Sequence, residues 1–96
     1  MITLSQAKKV LRKNKSYLQQ KYYVDEIGIF GSYTRGEQNS KSDIDLLVSF
    51  RKPIGLEFVD LSEELEELLN HKVDLVSKGA LKKRMYEFIK QEIVYV

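Results

Sequence analysis

Gly31-Ser32-Tyr33-Thr34-Arg35-Gly36, six polar residues, and then Asp43-Ile44-Asp45-Leu46-Leu47-Val48 form the stretch on which the fold turns. Ile44 to Phe50 is rich in β-branched and large apolar residues, the pattern of a buried strand. Asp43 and Asp45 stand two apart at its start, so their side chains project to the same side. Two neighbouring carboxylates repel and raise one another's pKa. Such a pair within an apolar run is unfavourable unless a cation offsets it. Magnesium suits this role, because it takes hard oxygen ligands and is usually held by one or two carboxylates together with substrate phosphates. Upstream, Val24 to Phe30 reads as a second strand that stops at Gly31. Glycine permits close backbone approach, and the free N–H groups of the turn that follows attract phosphate. Ser32 adds a hydroxyl donor. Arg35 offers a guanidinium fork, with an ion pair to an acid of the same loop as the alternative role. A bulky residue at position 31 is expected to block a phosphate while sparing the unliganded fold.

The remaining elements follow outward from this core. Thr3 and Gln6 have the spacing of a capping box, and Leu4, Ala7, Leu11, Leu18 and Tyr22 lie on one face of the helix it opens. Leu56 to Leu69 reads as a second long helix with Phe58, Leu61, Leu65, Leu68 and Leu69 as its apolar stripe. Lys72 to Val76 is a short strand carrying Asp74. If it pairs with the Asp43–Asp45 strand, Asp74 completes a carboxylate cluster of the kind that phosphoryl transfer uses. Leu81, Met85, Phe88 and Ile89 mark a third long helix, and Ile93 to Val96 a terminal strand. The predicted class is α/β (α+β), a small mixed β-sheet flanked by helices.

Bulk properties narrow the function. The 96 residues fit one compact domain, expected over 1–96, and a core this small would gain from a partner subunit or a second copy of the chain. The net charge of +2 is too weak to imply nucleic-acid binding and leaves direct contact open. Cysteine is absent, which excludes disulfide and thiolate-zinc scaffolds and suits the cytosol. No apolar run approaches the roughly 20 residues of a membrane span, and the expected location is cytoplasmic. His71, the single histidine, follows a helix end where a polar side chain is favoured anyway. Lys78, Lys82, Lys83 and Arg84 read first as a solvated surface, and second as a positive rim for a triphosphate or nucleic acid.

Taken together, the run from Gly31 to Val48 resembles the signature of the DNA polymerase β nucleotidyltransferase superfamily: Gly-Ser, a spacer, Asp-x-Asp, and a third Asp on a later strand. Its wording is similar to that of the minimal nucleotidyltransferase (MNT) family, with Thr34 where that family often has alanine. The resemblance implies that Gly31 and Ser32, with Arg35, hold the phosphates of ATP. It implies that Asp43, Asp45 and Asp74 are the catalytic and magnesium-binding acids, with two ions. It further implies transfer of AMP to a hydroxyl, foremost a tyrosine of a partner HEPN toxin, which would make the chain an antitoxin. A purely steric antitoxin is the alternative from another class. A catalytic subunit for a small molecule or RNA, working with a separate substrate-binding chain, is the third.

Overall fold

A computed structural model describes every residue from Met1 to Val96. The chain runs α1 (Leu4–Tyr22), β1 (Val24–Phe30), α2 (Ser32–Arg35), β2 (Ile44–Phe50), α3 (Glu57–Leu69), β3 (Val73–Ser77), a 3-10 turn, α4 (Lys83–Ile89) and β4 (Val94–Tyr95). The strands form one mixed sheet in the order β3-β2-β1-β4, with β2 and β3 parallel and β1 antiparallel to both its neighbours. The mixed sheet flanked by helices matches the architecture read from the sequence.

The capping box forms as its spacing requires. The Gln6 N–H donates to Thr3 Oγ1 at 3.1 Å and the Thr3 N–H to Gln6 Oε1 at 2.9 Å. Ala7, Leu11, Leu18 and Tyr22 then turn inward. With Leu61, Leu65 and Leu69 of α3 they cover one face of the sheet, meeting Val24, Ile27, Ile29, Ile44, Leu46 and Val48. The Tyr22 hydroxyl donates to Glu64 Oε1 at 2.6 Å, which ties α1 to α3. In β2, residues 44, 46 and 48 take the core side, so Asp45 and Leu47 face the opposite side of the sheet. The same alternation in β3 packs Val73 and Leu75 against the core and sends Asp74 the other way. Both acids therefore lie on the face that α1 and α3 leave open.

The C-terminal third departs from the sequence reading. The third helix is short, with 7 residues, and of its stripe only Ile89 is buried, while Met85 is 50% and Phe88 62% exposed. The helical spacing is correct, but spacing alone does not say how much of a helix has a surface to lie on. Tyr33 departs in the other direction. No helical or strand spacing marks Tyr33 as a core residue, yet it is 1% exposed within the main core, with its ring edge-on to His71. Its hydroxyl has no hydrogen-bond partner, and burial pushes its pKa up. A buried, unpaired hydroxyl costs about 1–3 kcal/mol in desolvation. Tyr33→Phe is therefore expected to leave stability unchanged or to raise it by about 1 kcal/mol in a urea melt. A loss of that size instead would mean that the hydroxyl is satisfied.

Candidate active site

The parallel register aligns Asp45 directly with Asp74. This is the pairing that the sequence left conditional, and it makes the two acids neighbours across the ladder. The Asp45 carboxyl is half-buried, and its pKa rises from 3.8 to about 6. Burial is the largest cause, followed by the charge of Asp74, a hydrogen bond between the two carboxyls, and the charge of Asp43; Arg35 pulls the other way. Asp43 lies one residue before β2 and is exposed. It acts on Asp45 through charge, and the three acids do not converge into a cluster arranged to hold a metal ion. The Asp45–Asp74 pair does fit a divalent cation. It supplies hard oxygen donors carrying a repulsion that a cation would relieve, and magnesium binds through one or two carboxylates plus phosphates.

Gly31 ends β1 and stands before α2 with φ 79° and ψ −150°, a conformation essentially confined to glycine. Its Cα faces the Asp45 carboxyl so closely that an added Cβ would overlap Oδ2. Ser32 and Tyr33 open α2, where their N–H groups have no place in the helix's own ladder. The glycine turn is therefore in contact with the Asp45 carboxyl. Thr34 Oγ1 donates to the Gly31 carbonyl at 3.0 Å, so the threonine reinforces the turn.

Arg35 has two carboxylate partners. Its Nε lies 2.7 Å from Glu37 Oε1, the same-loop ion pair considered from sequence, and its Nη1 lies 3.0 Å from Glu92 Oε1. Glu92 also accepts the Gly31 N–H at 2.6 Å. Sequence reasoning missed Glu92, and no local signal could have found it, since it stands 61 residues from Gly31. The other candidates lie elsewhere. His71 packs on Tyr33 and its Nδ1 is 2.9 Å from the Lys72 carbonyl oxygen, while Lys78 sits over the Tyr86 ring.

The acids do not lie in an enclosed pocket. The largest concavity, of 640 Å³, is lined by Phe50, Lys52, Ile54, Phe58 and Ala80 among others. It sits at the far end of β2, about 17 Å along the strand from Asp45. The catalytic candidates occupy an open face instead. No helix of the chain is long and apolar enough to cross a membrane.

Comparison with known proteins identifies the family. Residues 11–96 match the family model described as a nucleotidyltransferase domain. The chain is 44% identical over 97 residues to the protein adenylyltransferase MntA of Thermococcus cleftensis, covering all of this chain and 98% of that one. It is 49% identical, with full coverage of both, to a Methanocaldococcus jannaschii protein whose name points to the same activity. A solved minimal nucleotidyltransferase superposes with a TM-score of 0.75 at 31% identity, covering 92% of this chain and 93% of the other. A crystal structure of a toxin–antitoxin with AMP-PNP superposes at 0.69 with 26% identity, covering 91% of this chain and 66% of that one. The paired acids beside a glycine turn thus occur in a chain that belongs to the nucleotidyltransferase domain family, in its minimal type.

Proposed function

We propose that the chain is a magnesium-dependent protein adenylyltransferase that moves AMP from ATP to a tyrosine hydroxyl of a HEPN-type toxin and so acts as its antitoxin. The observation that carries this reading is the Asp45–Asp74 pair set against the Gly31 turn on an open sheet face. A site that encloses no small acceptor suits an acceptor that brings its own surface. The similarity to MntA and to a toxin–antitoxin structure with AMP-PNP supports the donor and the class of partner. The tyrosine and the HEPN identity rest on the sequence resemblance.

In this reading the Gly31–Ser32 turn holds the outer phosphates of ATP. The acceptor oxygen attacks the α-phosphorus, a P–O bond to AMP forms, and the P–O bond to pyrophosphate breaks. Asp74, aligned with Asp45 across the parallel ladder, stands where it can take the hydroxyl proton. Glu37, Glu92 and Asp45 surround one guanidinium, and Asp43 and Asp74 add to the negative charge. A triphosphate could not approach this surface without cations. Magnesium, held by Asp45 and Asp74 with the charge of Asp43 beside them, would supply the missing positive charge at the phosphates; two ions are the number that the resemblance implies.

The test is labelled ATP with magnesium and the purified partner, read by intact-mass spectrometry with wild type and Asp43→Asn. The expected result is a mass gain of one or more AMP units on the partner with wild type, located to tyrosine by peptide mapping, and a loss of at least about 100-fold in the variant. Equal neutralisation of the toxin by both proteins with no mass gain would overturn this reading in favour of a steric antitoxin. Label appearing on RNA or a small molecule would move the acceptor to that class.

A further inference from the structure

We propose that Glu92 is a positioning residue of this site, which keeps Arg35 away from the acid pair and sets the glycine turn. The inference rests on the nucleotide reading above. The antiparallel β1–β4 ladder pairs Gly28 with Tyr95 and Ile29 with Val94. Continued by two residues, the register brings Glu92 opposite Gly31, at the point where β1 leaves the sheet. There the Glu92 carboxylate accepts the Gly31 N–H at 2.6 Å, the place that a backbone carbonyl would fill if the ladder continued. The same carboxylate receives Arg35 Nη1 at 3.0 and 3.1 Å. Its side chain is 15% exposed, so this is a sheltered contact.

Arg35 is close enough to Asp45 to lower its pKa. Asp45 and Asp74 carry negative charge that is not paired with this guanidinium. Without the Glu92 charge, Arg35 is held only by the exposed Glu37 and is free to swing onto the acid pair. It would then compete with any cation for the same oxygens. Glu92 thus acts through Arg35 and Gly31 and makes no contact with nucleotide itself. The C-terminal segment becomes part of the site by this route.

The experiment titrates magnesium into chain plus ATP and reads binding by calorimetry, for wild type, Glu92→Gln, Arg35→Gln and the double variant. The glutamine carbonyl can still accept the Gly31 N–H, so Glu92→Gln is expected to fold, with a melting temperature near that of wild type. Its magnesium midpoint for ATP binding should rise about tenfold, the effect of one well-placed charge. Arg35→Gln in the same chain should bring the midpoint back toward wild type, which a merely structural tie would not do. Tighter binding by Glu92→Gln would make Glu92 a competing anion and overturn the proposal. An unchanged midpoint with a lower melting temperature would reduce it to a fold contact and also overturn it. If wild type binds no magnesium-ATP, the nucleotide reading fails and this proposal falls with it; if wild type binds and the variants match it, only this proposal fails.

Discussion

Asp45→Asn is expected to make the nucleotide-free protein more stable while removing its activity. Burial and the charges of Asp74 and Asp43 raise the Asp45 pKa from 3.8 to about 6, so its ionised form is strained in the folded chain. Two units correspond to about 2.7 kcal/mol, which solvent screening of a half-exposed group reduces to about 1–2 kcal/mol. Between the unfolded and folded pKa values the native state binds more protons than the unfolded one. The stability of wild type should therefore decline as pH rises from about 4 to about 6 and then level off. The asparagine carries no charge to strain, so the variant should melt on the order of 5–10 °C above wild type at pH 7.5, with the gap closing near pH 4. Magnesium-ATP should reverse the order. At 100 times its dissociation constant a ligand adds about 2.7 kcal/mol to wild type, and the variant should gain little of this. Transfer of AMP should drop about 1,000-fold or more, since polarisation of the phosphoryl oxygens accounts for several kcal/mol of the barrier. Calorimetric melts across pH, with and without magnesium-ATP, check the stability changes, and the intact-mass transfer assay checks the loss of activity. A variant no more stable than wild type at pH 7.5 would show that the acid pair is already relaxed by solvent, and an active variant would remove Asp45 from the site.

Much of this arrangement was legible because its causes are local. The Thr3–Gln6 box, the alternation of β2 and the arrest of β1 at Gly31 are each set by residues a few positions apart. Asp74 was legible as an acid in a strand, while its position against Asp45 depended on a parallel pairing that composition does not encode. The rest depends on long-range register and on what covers a surface. Glu92 reaches Gly31 only because the two-residue strand β4 pairs with β1 in one particular register. Met85 and Phe88 have the spacing of core residues, but the short α4 leaves them to solvent. Asp43 and Asp45 have the spacing of joint ligands, yet Asp43 precedes the first strand residue and stays exposed, so the pleat does not bind it to the position of Asp45.

Gly31 separates the fold from the chemistry most sharply, and here the structure corrects the expectation that a larger residue would spare the fold. Gly31→Ala is expected to destabilise the chain by about 2–4 kcal/mol, a large part of the roughly 5–15 kcal/mol available to a domain. Two effects add. The backbone at φ 79° and ψ −150° is strained for any L side chain, at about 1–3 kcal/mol. A Cβ there would also overlap Asp45 Oδ2 and lie 3.0 Å from the carboxyl carbon, and forcing an atom into occupied space costs about 1–3 kcal/mol. Gly36 is the internal control. It too has positive φ, 71°, but in the ordinary left-handed region and with nothing within 4 Å of an added Cβ. Gly36→Ala should therefore cost only about 1 kcal/mol. Asp45→Ala removes the carboxyl that Gly31→Ala meets, so the alanine at position 31 should cost about 1–2 kcal/mol less in that background than in wild type. Urea melts of wild type, the three single variants and the Gly31→Ala/Asp45→Ala double variant give these differences directly. Equal costs at Gly31 and Gly36, unaffected by Asp45→Ala, would mean that the turn does not rest against the carboxylate. The expected inequality would show that the absence of a side chain at 31 is what lets the glycine turn and the acid strand touch, a contact that stability measurements detect before any nucleotide is added.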